Sequence, residues 1–258
     1  MFYEVWPLGV SFDSTYFVEF DKKLLVWDLL SIDGKYFLVF SNNRVWKQIP
    51  WVISYLGNLF TPRTLFFQKF FANFWYTWYF KTFSLFVSDK KYIWKYKLPE
   101  IKRFSFDMTK TYKTEYSNFE KYEDYLKLWD KDIKTLYLKD FSSNLLDLKS
   151  QNLLIFPDDW TMFNLLERFK VNADILDVSS TALTKYKMFI SVKTNKTKVL
   201  ATTSAGIFQD WKKLNSIFLF FPYKWYYKSQ QNPRYYVPEL VKQIKFFYDV
   251  ENVYFIYP

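Results

Sequence analysis

This chain has no cysteine and no histidine, and those two absences remove more chemistry than any motif supports. Without them there is no Ser-His-Asp triad, thiolate nucleophile, Cys/His zinc site, iron–sulfur ligand set or haem histidine. Glycine is almost as scarce: Gly9, Gly34, Gly57 and Gly206 are the only four in 258 residues, too far apart for a phosphate-cradling loop. Carboxylate, Lys and Tyr remain for catalysis. Adjacent acids occur at Asp158-Asp159 and Glu123-Asp124, in polar stretches that read as solvated surface. No catalytic residue, metal site or cofactor is expected, and the chain is not read as an enzyme.

Arginine is rare too. Of 36 Lys and Arg, only Arg44, Arg63, Arg103, Arg168 and Arg234 are arginine. Phe, Tyr, Lys, Asn and Ile are read from codons rich in A and T, whereas Gly, Ala and most Arg codons need G and C. The scarcities therefore share one cause, a coding sequence poor in G and C. Trp breaks the pattern, because its standard codon is G-rich and yet the chain holds 11. A code in which TGA also means Trp removes the exception and points to an organelle genome, most simply a mitochondrial one; the alternative reading of the bias is the A- and T-rich genome of a parasite or symbiont.

What fills the chain instead is aromatic: 30 Phe, 22 Tyr and 11 Trp, with 50% hydrophobic residues overall. Large rings bury much area per residue, so a core can be built with little Ala or Gly, provided Tyr hydroxyls and Trp indoles find partners. At this length one large domain or two modest ones are expected. The best candidate for a membrane span, residues 51–87, is interrupted by Arg63, Lys69 and Lys81. No apolar run approaches the roughly 20 residues needed to cross a bilayer, so no transmembrane segment is expected. The opening MFYEVWPLGV does not have the form of a signal peptide.

Strand signals dominate the first 50 residues. Residues 15–20, 24–27 and 35–40 are β-branched or aromatic runs, and Asp33-Gly34 is a hairpin-turn signal before the third. From Thr64 to Phe80 the apolar positions are dense, and Leu65, Phe66, Phe70, Phe74 and Trp78 would form one helical stripe. A polar, Lys- and Tyr-rich middle follows, with a helix expected over residues 116–129 and interleaved basic and aromatic residues over 91–97 that suit nucleic acid. Asp159 is placed as the cap of a helix carrying Met162, Leu165, Leu166 and Phe169 on one face. Residues 214–223 are long enough for a buried strand.

The formal charge of +10 is unevenly spread: from residue 176 onward there are twelve Lys and Arg against five Asp and Glu. In that third, residues 188–192 and 198–202 read as strands of a hairpin joined by the polar loop 193–197. Pro238-Glu239 then opens a helix with Leu240, Val241, Ile244 and Phe247 inward, and residues 253–256 form a closing strand. Lys193, Lys196 and Lys198 on the hairpin, with Lys212 and Lys213 on the next loop, would converge at one end of a small sheet and meet phosphates. Gly206 would allow close approach of backbone to RNA.

Residues 191–206, SVKTNKTKVLATTSAG, with Phe208, Lys212 and Lys213 after them, resemble the hairpin and basic loop of the family of the eleventh protein of the small ribosomal subunit, the platform protein. The helix ending near Tyr248 and the strand VYFI follow in that family's order. Tyr186-Lys187-Met188 stands where the family has Asn-Asn-Thr, two loop glycines are missing, and residues 220–232 are an insertion. The family continues beyond the position of Pro258 through a further helix and a basic tail, a part expected to be lost or supplied by another polypeptide.

The resemblance implies a structural constituent of the mitochondrial small ribosomal subunit in the matrix, with small-subunit ribosomal RNA and neighbouring ribosomal proteins as partners. The fold expected is α+β. A small C-terminal α/β module of hairpin, basic loop, helix and strand (176–258) follows a long aromatic-rich extension (1–175) of strands then helices that makes protein contacts. The competing expectation is an accessory subunit of a respiratory or ATP synthase complex, its aromatic N-terminal half packed against membrane subunits.

Overall fold

The computed structural model describes residues 2–7, 16–19, 28–32, 35–41, 53–58, 60–75, 77, 79–86, 133–230 and 233–258. The strand over 24–27, the helix over 116–129, the basic-aromatic run 91–97, the pair Glu123-Asp124 and Trp78 all lie outside the described residues.

The N-terminal strands are β1 (Phe2–Pro7), β2 (Tyr16–Glu19), β3 (Asp28–Ile32), β4 (Lys35–Ser41) and β5 (Ile53–Asn58). They form an antiparallel sheet in the order β2-β1-β4-β3-β5. Ile32 pairs with Lys35, so only Asp33 and Gly34 connect β3 to β4. This is the two-residue connection that the Asp-Gly signal predicts.

Two helices follow, α1 (Pro62–Phe74) and α2 (Tyr79–Phe86). Thr64, Phe67, Gln68, Phe71 and Ala72 form the buried line of α1, while Phe70 and Phe74 lie at its half-buried margin. The spacing of three and four is the helical one, but its centre lies beside the stripe read from the sequence. With nearly every position apolar, periodicity does not say which face turns inward.

From Ile133 onward the chain builds an all-parallel six-stranded sheet. Its elements are β6 (Ile133–Tyr137), β7 (Gln151–Ile155), α3 (Asp159–Arg168), β8 (Asp174–Leu176), α4 (Ala182–Lys193), β9 (Val199–Thr202), β10 (Leu214–Phe220), α5 (Val237–Tyr248) and β11 (Asn252–Tyr257). The strand order is β6-β11-β10-β7-β9-β8. The chain thus contains both α and β structure, and this unit is α/β. The division expected between residues 175 and 176 falls inside β8, and β6 and β7, from its N-terminal side, belong to the same sheet.

Both faces of the sheet are covered, as parallel strands require. Leu153, Ile155, Ile217 and Leu219 face α4 and α5, meeting Phe189, Leu240, Val241 and Ile244. Leu154, Phe156, Phe218 and Phe220 alternate to the other side, against Met162, Leu165 and Leu166 of α3 and Phe141. Phe156 and Phe220 stack with ring centroids 4.4 Å apart and planes 12° from parallel. The cap of α3 is Asp158, one residue earlier than expected, with its Oδ1 accepting from Thr161 N at 2.7 Å.

The β9–β10 connection contains a 3-10 turn at Ser204–Gly206 and no α-helix. Helices from the N-terminal half cover it. Phe71 and Phe86 each place their ring centroids 5.5 Å from Phe208, and Phe67 packs 5.7 Å from Phe247 of α5.

The hairpin over 188–202 is not formed. Residues 182–193 are α4, capped by Thr181 accepting from Thr184 N at 3.2 Å, and β9 runs parallel to both β7 and β8. Adjacent parallel strands need a crossover, and here α4 is that crossover between β8 and β9. Tyr186, Phe189, Val192 and Lys193 are its buried residues, a spacing of three and four that the run MFISV conceals. No helix among the described residues is long and apolar enough to cross a membrane.

Candidate nucleic-acid interface

The amino-terminal edge of the parallel sheet is organised by one side chain. Gln151, the first residue of β7, is fully buried and uses the whole hydrogen-bonding capacity of its amide. Its Nε2 donates to Val192 O at 2.8 Å and to Thr197 O at 3.2 Å, while its Oε1 accepts from Lys212 N at 3.1 Å and Lys213 N at 2.8 Å. Its backbone N–H donates to Lys213 O at 2.9 Å. Next to it, Asn152 Nδ2 donates to Lys198 O at 3.2 Å and to Asp147 O at 2.8 Å. Three loops, around 147–150, 194–198 and 211–213, are therefore tied to the start of the central strand.

Those loops bring four of the expected residues together. Lys196, Lys212 and Lys213 are exposed and Lys198 is half-buried, with exposed Lys149 added on the third loop. The acid among them is Asp147, whose carboxyl is held below its ordinary range by the Lys149 N–H and the Ser150 side chain, with smaller help from the Lys213 and Lys149 charges. Farther along the same edge Lys134 is exposed and donates to Asn252 Oδ1 at 2.7 Å. The convergence of lysines at one end of a sheet is present, made by a parallel sheet instead of a hairpin.

Lys193 and Gly206 do not belong to this surface. Lys193 is buried at the end of α4, where its Nζ lies 3.2 Å from Asp210 Oδ2. Burial pushes the Lys193 ammonium below its ordinary range, and Asp210 opposes that shift. A hairpin loop at residue 193 would expose this cation; on α4 the helical period turns it inward. Gly206 is buried as well, and a Cβ there would lie 1.9 Å from Thr202 Oγ1 and 3.0 Å from Leu176 Cδ2. The glycine serves close packing within the protein.

Asp210 anchors a second network. It accepts from Thr61 N at 3.1 Å and from Thr61 Oγ1 at 2.6 Å, and it also accepts from the Thr64 hydroxyl. Tyr248 Oη lies 2.6 Å from Thr64 Oγ1 and 3.1 Å from Gln209 O. Burial, then the nearby Asp210 charge, pushes the Tyr248 hydroxyl well above its ordinary range. The charges here are compensated internally, so the network is a joint between α1 and the parallel unit.

At the opposite, carboxyl edge, a doubly wound sheet offers a ligand crevice where successive connections leave on different faces. Here that point lies between β7 and β10, which lead to α3 and α5. Tyr227 fills it: its ring is fully buried, and its hydroxyl lies 2.6 Å from Phe220 O and 3.2 Å from Ile155 O. Of the paired acids, Asp158 caps α3 and Asp159 is held above the ordinary carboxylate range, chiefly by burial. Among the described residues no group of three or more His, Cys, Asp or Glu is placed to hold a metal ion.

Gln151, Asp210 and Thr61 stand in no motif or charge cluster of the sequence. Its one hint of them is the run QNLLIF, in which two amides lead directly into a fully apolar strand. The chain matches no protein-family profile and no curated protein.

Proposed function

We propose that this protein is an RNA-binding structural component of the small ribosomal subunit of a mitochondrion, holding ribosomal RNA against the amino edge of its parallel sheet. The observation that carries the reading is the Gln151 amide, which fastens two basic loops side by side so that Lys196, Lys198, Lys212 and Lys213 share one edge. A fixed array of cations is suited to a phosphate backbone, and each neutralised phosphate releases counterions. The charge of +10 and the A- and T-biased composition agree with a ribonucleoprotein of an organelle. The reading uses the charged edge and not the platform-family hairpin. The N-terminal half, joined to the parallel unit through α1 and α2, is assigned to contacts with neighbouring ribosomal proteins.

A density gradient of mitochondrial extract, run with and without ribonuclease, tests the assignment. The protein should travel with the small subunit, move to lighter fractions after ribonuclease, and be stripped by high salt. Migration with a membrane complex in both gradients, indifferent to ribonuclease, would overturn it in favour of an accessory subunit of a respiratory or ATP synthase complex.

A further inference from the structure

The carboxyl edge of the same sheet carries a different chemistry. Phe221, at a positive φ of 55°, turns the chain at the end of β10, and its N–H donates to Ile256 O at 2.8 Å. The loop beyond it is held from beneath by the buried Tyr227 and closed by the Lys228–Tyr236 bridge and the Ser229 N–H to Tyr235 O bond of 2.9 Å. Tyr227 points inward while its neighbours are displayed: Tyr223 is 55% exposed, Trp225 63% and Tyr226 46%. Trp225 and Tyr226 lie with ring centroids 4.2 Å apart, and Tyr223 is within 16° of parallel to Tyr257 at 6.3 Å. Tyr257 pairs in register with exposed Tyr137 at the end of β6, which extends the row across three strand ends.

Cations are set among these rings. Lys224 Nζ lies 5.7 Å from the Tyr223 centroid and Lys139 Nζ 5.9 Å from that of Tyr137. Residues 221–236 contain Lys224, Lys228 and Arg234 and no acidic residue. A surface kept for a protein partner concentrates aromatics but is depleted of Lys at its centre. Single-stranded nucleic acid asks for the combination present here, flat rings for the bases and cations for the phosphates between them.

We infer that the carboxyl edge, centred on Tyr223, Trp225 and Tyr226, is a stacking site for unpaired RNA bases, distinct from the phosphate-binding amino edge. The inference rests on the reading of the protein as RNA-binding but uses another surface and another interaction. The anchored loop favours it, because a backbone already fixed loses little freedom when a base stacks on the rings it displays. No base identity is selected: every base has a π-face, so the site takes unpaired segments of any sequence.

The test uses the full chain and three labelled RNAs: an oligouridine of about 12 nucleotides, an abasic strand of equal length and a duplex. Fluorescence anisotropy should show the oligouridine bound more tightly than the abasic strand. Tyr223→Ala with Trp225→Ala should weaken the oligouridine about tenfold or more while leaving the duplex and abasic strand unchanged. Trp225→Ala alone, at a largely exposed side chain, serves if the double variant does not fold. Lys212→Ala with Lys213→Ala should instead weaken all three RNAs.

Equal affinity for oligouridine and abasic strand, or unaltered oligouridine binding by a folded Trp225→Ala protein, would overturn the stacking site and leave the rings to a protein partner. Loss of binding through the Trp225 variant but none through the Lys212/Lys213 variant would instead retain the stacking site and remove the amino edge from the RNA interface.

Discussion

Asp210 accepts the backbone N–H of Thr61 at 3.1 Å, across 149 residues of sequence. It thereby satisfies the N–H of the residue that leads into α1 from a different part of the chain, while Thr61 Oγ1 itself accepts from Thr64 N at 3.5 Å in the first turn. The same carboxylate balances buried Lys193, so one side chain joins the start of α1 to the β9–β10 connection and the end of α4.

Removing either charge of this pair leaves the other buried without its opposite charge. Lys193→Met and Asp210→Asn should each destabilise the protein by about 3–5 kcal/mol. Urea unfolding followed by circular dichroism measures the loss; a change below about 1 kcal/mol in both variants would show that the pair is not a joint.

Alkaline pH should loosen the fold from about pH 10.5 upward. Burial is the first cause that pushes Tyr235 up to about 12 and Tyr227 and Tyr248 well above their ordinary range. A hydroxyl harder to ionise when folded contributes stability that is complete below the unfolded value near 10 and is lost as pH climbs through the folded value. Lys193 acts oppositely, since its lowered folded value makes its share of stability grow as pH approaches about 10.5. Above about pH 10.5 the lysine share no longer grows while the tyrosine shares are still being lost, so the urea midpoint should fall there, and a midpoint still rising would contradict this balance.

Gln151→Glu isolates the role of the amide. One carboxylate oxygen still accepts from Lys212 N and Lys213 N, but the other faces Val192 O and Thr197 O, which lose the donation from Gln151, while Val192 O keeps Asn195 N at 2.9 Å. The expected loss of stability is about 2 kcal/mol or more, with weaker RNA binding although every lysine of the edge is intact. Urea unfolding and anisotropy on the same sample measure both, and wild-type affinity in the variant would separate the amide from the interface.

Gly206→Ala should destabilise by about 1–3 kcal/mol, because the new methyl meets Thr202 Oγ1. Combined with Thr202→Ala, the loss should be smaller than the sum of the single losses, since part of the clash disappears. Thermal unfolding of the four proteins closes the cycle. RNA affinity should be unchanged in any Gly206→Ala protein that remains folded.

Lys212→Ala with Lys213→Ala should leave stability within about 0.5 kcal/mol, as both side chains are exposed and Gln151 contacts only their backbone. If each contacts one phosphate, the slope of log affinity against log salt should flatten by about 1.4–1.8. A titration of RNA binding over salt measures it, and an unchanged slope would place the phosphates elsewhere.

Local signals in the sequence were read correctly where one interaction dominates. Asp33-Gly34 joins β3 to β4, Leu240, Val241, Ile244 and Phe247 are buried along α5, and Met162, Leu165 and Leu166 turn inward on α3. Each depends on a turn or on an amphipathic period that its own few residues display. The run at 188–192 shows the limit. Its apolar residues suit a strand as well as a helix, and the choice was made by β8 and β9 lying parallel and needing a crossover between them.

The candidate site divides in the same way. Composition alone excluded Cys- and His-dependent chemistry and placed an excess of lysine in the last third, because residue types and charge need no fold to be counted. Which lysines face solvent was decided by tertiary structure. Lys193 and Lys196 are three residues apart, yet the first is sealed against Asp210 at the end of a helix and the second stands on an open loop. Burial and pairing depend on what other segments bring to the same place, here the Asp210 carboxylate and the amide of Gln151, and no local pattern around either lysine encodes that.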